Sequence, residues 1–495
     1  MKQKAPGERD LNIRTVEEAE ERLYQSIMTY KHKPVGTVAA KEPGPKEEQL
    51  NYGHCFIRDF VPAGLAFLMK GEREIVRNFL EFTLGLQSDQ VHSTDGQGLF
   101  GEVRRNWQGK ELQIDGIVLA EGLMPASFEV TSNQEIEPDF GQRAIGRVTP
   151  VDSGLWWIFL LQAYEKACDR ANRPEEKIAH RNEFQRGLKL ILSLCLVKRF
   201  DMTPTMLVPE AAFMIDRRMG VYGHPLEIQA LFHAALHAAS HQLITDQHYI
   251  QELEIDRRCS LLTEYIRERY WLDPKRLRAI YRYQTEEFGE TALNKFNIYE
   301  NSVPEWVLPW VDRKGGYLAG NLGVGWIDFR FFSQGNLLSI ISGLATSDQS
   351  QNIMNLIELQ WSKLMGNMPM KLCYPALEGR DWKSVTGCDP KNVPWSYHNG
   401  GSWPVLLWSL TAAAQKTKRL DLAKKAIQIA ESYLLDDEWP EYYDGENGEI
   451  LGREARLYQT WTISGYLVAK YLIHTPEYLR LISFDTESEV TKYTQ

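Results

Sequence analysis

The chain has 495 residues, 43% of them hydrophobic and 25% charged, with a net charge of −10 and no basic cluster. That balance belongs to a globular protein whose core needs no disulfide or metal staple. The acidic surplus speaks against nucleic acid or an anionic membrane as partner.

No run of eighteen apolar residues occurs, so nothing reads as spanning a membrane. The start, MKQKAPGERDLNIR, lacks the apolar core of a secretory signal. The six cysteines fall without CxxC or CxxH spacing, which suits reduced thiols in a cytoplasmic enzyme. No metal or organic cofactor site is legible.

Residues 1–14 read as a flexible polar arm. Val16, Ala19, Leu23 and Ile27 predict an amphipathic helix over 15–30, and 32–51 a loop. Tyr52, Arg58 and Asp59 lie in NYGHCFIRDF, ahead of a helix from about Pro62 and a second over 74–88. Residues 89–150 form a long Gly-rich stretch with a short strand near 113–118. It contains Gln142 and Arg143 and runs into Asp152; a long loop inside a compact domain is usually functional.

Helices follow over 153–171 and 175–197. Asp216 sits in FMIDRRMGVYGHP, a loop that ends at His224. The helix 225–243 behind it starts with Pro225, whose missing N–H is not needed there, and Glu227, which suits the helix dipole. Helix 248–271 and an aromatic, irregular stretch over 283–326 come next, then helices 334–345 and 349–365. A polar loop over 369–401 carries Glu378, Arg380, His398 and Asn399. Helices 402–417 and 419–435, a loop with Glu441 in WPEYYDGENG, helix 456–474 and a tail over 481–495 complete the chain.

Helix, short turn, helix, long loop recurs about six times, and the loops rich in chemistry fall at every second connection. The pattern predicts one all-α domain over 15–480, a toroid of six inner and six outer helices. An open solenoid is the rival, but no repeat of fixed length is visible. The chain has 14 Trp, 22 Tyr and 19 Phe, and its tryptophans crowd loops beside acids, arginine and histidine. Flat apolar faces beside polar partners suit sugar rings.

NYGHCFIRDFVPAGLAF, EGLMPASFEV, PVDSGLWW, MIDRRMGVYGHPLEIQALF, LEGRDWKSVTGCDPKNVPWSYHNGGSWPVLLW and WPEYYDGENG resemble the alkaline/neutral invertases, glycoside hydrolase family 100, from about residue 15 to 475. The likeness is to the bacterial or cyanobacterial type. It implies an (α/α)6 barrel, inverting hydrolysis of sucrose to glucose and fructose without a cofactor, and a homo-oligomer, dimer-based or hexameric.

A more distant likeness to glucoamylases implies roles. Tyr52, Arg58 and Asp59 match the motif that holds the non-reducing glucose. Asp216 matches the general acid and Glu441 the general base.

The reaction needs one protonated and one ionised carboxyl. Asp152, Asp216, Glu378 and Glu441 all lie in suitable loops, so Asp152 with Glu378 is the alternative pair. Each has a plainer reading: a helix cap for Asp152, an ion pair with Arg217 or Arg218 for Asp216, a partner for Arg380 for Glu378, and an exposed turn acid for Glu441. His224, His398 and Asn399 are candidate hydroxyl ligands, and Gln142 and Arg143 candidates for the fructose side. The alternative functions are a glycosidase or phosphorylase of another α-glucoside on the same barrel, or a non-catalytic sugar-binding helical protein.

Overall fold

The computed structural model describes residues 8–41, 52–89, 120–141, 150–196, 203–208, 213–215, 219–282, 302–311, 314–323, 326–450 and 456–485. Among them, twelve helices alternate between two layers. They are α1 (Glu8–Gln25), α2 (Ile57–Lys70), α3 (Arg73–Leu84), α4 (Ser153–Arg170), α5 (Asn182–Cys195), α6 (Leu226–Ala238), α7 (Ile255–Arg269), α8 (Ser333–Ile341), α9 (Ser347–Leu359), α10 (Leu407–Lys416), α11 (Leu420–Glu431) and α12 (Thr460–His474).

The even-numbered helices are buried nearly all round: α2 buries eleven of its fourteen residues and α8 all nine. The odd-numbered ones bury a stripe; in α5 it is Phe184, Gly187, Leu188, Ile191 and Leu192. A helix apolar on every side must be enclosed by others, whereas one with a single stripe lies outside. Each inner helix packs on the next, α2 to α4, α6, α8, α10 and α12, and α12 closes the ring on α2. The fold is therefore an (α/α)6 barrel.

Two glycines set the spacing. A Cβ on Gly64 would lie 2.9 Å from Leu160, and one on Gly465 2.7 Å from the Val405 carbonyl, so α2 and α12 approach their neighbours more closely than any other residue permits. On the axis, Trp156 of α4 meets Trp408 of α10 edge-on at 6.4 Å from the far side of the ring, with Phe159 6.2 Å from Trp408. The barrel interior is thus filled.

The boundaries differ from expectation where turns lack their usual residues. α1 begins at Glu8, inside the residues read as an arm, and stops at Gln25, because Ile27–Tyr30 pairs with Lys33–Thr37 as a hairpin. Its two-residue turn, Lys31-His32, has φ of 47° and 65°, the left-handed pair that Asn-Gly normally announces. The helix expected over 248–271 breaks at Glu254, φ 50°, into Gln247–Glu252 and α7. Among the described residues, five sheets of two or three short strands dress the loops. The strand expected near 113–118 lies outside the described residues. Past α12, Phe484 packs 5.3 Å from Phe159 and Asp485 pairs with Lys416 at 2.6 Å, so residues read as tail belong to the core.

Candidate active site

Because inner and outer helices alternate in direction, every inner helix points its N-terminus at the end that carries the long loops. Each long loop therefore delivers its last residues, and the first turn of the following helix, to one mouth. Arg58 and Asp59 open α2, Asp152 precedes α4, and Glu227 opens α6.

Arg58 organises this mouth. Its Nε donates to Asp59 Oδ1 and its Nη1 to Asp152 Oδ2, both at 3.1 Å, and its guanidinium lies 5.9 Å from the Trp461 ring. Asp152 occupies the N-cap position of α4 but its side chain makes no capping bond to the helix; it faces Arg58 instead. Across the mouth Tyr52 Oη donates to Glu441 Oε2 at 3.3 Å, and Arg456 lies 5.2 Å from the Tyr52 ring. Glu441 is 6% exposed, so it is not a surface turn acid. The loops around 52–59 and 436–446 thus meet at one end, with Asp152 beside them. Below them Trp156, Trp408, Trp461, Gln334 and Met214 enclose a void of about 20 Å³, which forms the floor.

Burial sets the electrostatics. It raises the carboxyls of Asp59 and Asp152, and Arg58 opposes the rise in both. Burial works against the Arg58 charge, but Asp152 and Asp59 outweigh it and hold the guanidinium charged. The Glu441 carboxyl is raised by burial and by the Asp59 charge, against Lys391, Tyr52 and Arg456. Burial pushes Glu227 up to about 8, with the Asp152 charge adding to it.

The remaining candidates are distributed differently. Glu378 is exposed and accepts from Trp395 Nε1 at 3.0 Å; its partner is this tryptophan, not Arg380, which is exposed on the following helix. Both Glu378 and Trp395 line an open groove of about 810 Å³ with Trp306, Trp326 and Tyr374. His398 is buried and stacks on Tyr397 at 3.8 Å. Asn399 braces the loop, accepting from Leu377 N at 2.6 Å and donating to the carbonyls of Leu377 and Asn392. His224 pairs with Leu322 in a small sheet, its amide bonded to Asn321 at 2.8 Å, and burial lowers its pKa. Asp216, Gln142 and Arg143 lie outside the described residues. The flanks of Asp216 are fixed: Phe213, Met214, Ile215 and Met219 are all buried.

Sequence reasoning missed several residues here. Asp328 and Arg330 form a buried bidentate pair (2.9 and 2.6 Å), and Arg330 Nη2 also holds the Met219 carbonyl at 3.2 Å. Their signal was legible: WIDFRFF precedes an inner helix as HCFIRDF does. Lys391 and Arg456, which bear on Glu441, carry no local signal. Glu227 looked like an ordinary first-turn acid.

The family model described as alkaline and neutral invertase matches residues 19–476. The chain belongs to this family. It is 48% identical to neutral/alkaline invertase 3, chloroplastic, of Oryza sativa subsp. japonica, over 98% of this chain and 78% of that one. It is 49% identical to probable alkaline/neutral invertase F of Arabidopsis thaliana, over 96% and 91%. Among solved structures, a wild-type glycosidase superposes with a TM-score of 0.55 at 11% identity, covering 97% of this chain and all of that one. A bacterial glucoamylase complexed with acarbose gives 0.54 at 11%, covering 98% and 58%. At that identity the likeness concerns the barrel alone.

Proposed function

We infer that this member of the alkaline/neutral invertase family is a glycoside hydrolase that cleaves sucrose to glucose and fructose, with Asp216 as general acid and Glu441 as general base. Family membership carries the substrate. The observation that supports the base is Glu441 itself: a buried carboxylate, oriented by Tyr52, at the same mouth as the Arg58–Asp59 pair.

Arg58 and Asp59 offer a donor and an acceptor side by side, which suits adjacent hydroxyls of the glucose, and Asp152 holds Arg58 in place. The glucose then sits on the aromatic floor and the fructose lies outward. Glu378 and Trp395, on the groove, suit that outer ring, with Arg380, Gln142, Arg143, His224 and His398 as further ligands. Asn399 supports the loop. Asp216 gives its proton to the departing fructose oxygen while Glu441 draws a proton from water on the opposite face. The two carboxyls then stand roughly 6.5–9.5 Å apart. One catalytic domain covers 15–480, and the first turns of α1 and the residues to 485 join it. All six cysteines are free, in keeping with a cytoplasmic enzyme. The oligomer is dimer-based or hexameric.

Proton NMR during the first minutes of sucrose turnover reads the mechanism. The glucose signal is expected to appear first as the β-anomer; initial α-glucose overturns inversion and with it these two roles.

A further inference from the structure

At the mouth two carboxylates bond one guanidinium, and a third lies within electrostatic reach of it. Arg58 has committed Nε to Asp59 and Nη1 to Asp152, each at 3.1 Å. Glu227 is the third: it is 2% exposed, and neither of its oxygens makes a well-formed hydrogen bond. Among the described residues, what faces it is Arg58 from α2, Asp152 from the start of α4 and the Met214 backbone amide. From α8, Gly335 packs on its backbone. Among the described residues Arg58 is the cation that faces Glu227, and it already serves two aspartates; a buried charge without its own partner is far costlier than a neutral acid.

We propose that Glu227 is a positioning residue that works as a neutral acid, filling the third place beside Arg58 so that the guanidinium stays bonded to Asp59 and Asp152 and the glucose subsite keeps its shape. The proposal rests on the reading that Arg58 and Asp59 hold the glucose. Ionised, Glu227 competes with both aspartates for Arg58 and pulls it out of register. Burial and the neighbouring Asp152 charge, which push the Glu227 carboxyl up to about 8, place that competition on the alkaline side of neutrality.

The experiment is KM for sucrose against pH in wild type, E227Q and E227A, with thermal unfolding of each across the same range. Wild-type KM is expected to rise about tenfold through a midpoint near 8. Glutamine mimics the neutral acid, so E227Q restores KM to within about threefold at neutral pH and removes the alkaline rise, whereas E227A is raised about tenfold at every pH. The folded protein keeps a proton that the unfolded chain releases above about 4.3, so wild type loses Tm relative to E227Q as pH climbs from there to about 8. Parallel KM profiles in wild type and E227Q overturn the proposal. So does an E227Q that fails to fold or loses neutral-pH activity, since shape and neutrality are then not enough. An Arg58→Lys variant with unchanged KM instead refutes the subsite reading, and the unfolding data still report whether Glu227 holds its proton.

Discussion

Helix α6 joins two ends of the barrel that handle charge in opposite ways. At the mouth, where the inner helices begin, the titratable groups are mainly acids: Asp59, Asp152 and Glu227. At the far end, where they finish, the groups on the inner helices are mainly basic. Lys416, closing α10, bonds Asp485 at 2.6 Å and the last carbonyl of α8, that of Ile341, at 3.1 Å. Lys166 of α4 bonds the Ser483 carbonyl. His233, His237 and His241 stack along the last turns of α6 and beyond. Six parallel helix dipoles sort charge in this way, acids to the N-terminal end and bases to the C-terminal end. The ends differ in closure. The lysines of the far end are paired and fixed. The mouth sets Asp59, Asp152 and Glu227 around the charge of Arg58, and such a crowding of carboxyls is what a proton-transfer site needs.

Substitutions can break this contrast. The largest effect belongs to the proposed proton-transfer pair: Glu441→Gln and Asp216→Asn are each expected to lower kcat by about 10³-fold with little change in Tm. Steady-state kinetics beside calorimetry checks this, and a fully active Asp216→Asn would end its assignment. Next comes Lys416→Met, which strands Asp485 and is expected to destabilise the fold by about 3 kcal/mol while kcat/KM of the folded enzyme stays as it was. Denaturant unfolding measures the loss; a large kinetic effect at full stability would dissolve the distinction between the ends.

The smallest effect concerns pH. Burial, with each next histidine in the ladder adding, lowers His233 to about 3 and His237 to about 4. Their folded pKa lies below the unfolded value of about 6.5, so the unfolded chain takes up protons first and stability falls as pH drops from there. A His233→Gln, His237→Gln double variant should lose less Tm than wild type between neutrality and pH about 4.5. The two ends of α6 thus titrate in opposite senses, the ladder costing stability as pH falls and Glu227 as it rises.

The ring was readable from the chain because loops rich in chemistry fall at every second connection between helices, and the structure matches it with helices buried all round, such as α8, alternating with helices buried on one stripe, such as α5. The mouth was half readable. Arg58, Asp59 and Glu441 announce themselves by loop motifs, and the structure brings Arg58 and Asp59 together with Tyr52, Asp152 and Glu441. Glu227 did not, because its meaning comes from Asp152 and Arg58, which only folding brings beside it. Asn399 illustrates the converse: its residue type suggested a sugar ligand, but packing turned its amide onto Leu377 and Asn392. The Lys31-His32 hairpin was hidden because its turn uses two residues that seldom adopt positive φ.

The aromatic contact on the axis governs traffic. Among the described residues Trp156, Trp408 and Phe159 close the bore on the axis, so a sugar at the mouth cannot pass straight through the ring. On the proposed placement, with glucose on the floor and fructose outward, the deeper ring is trapped behind the other, and fructose departs before glucose.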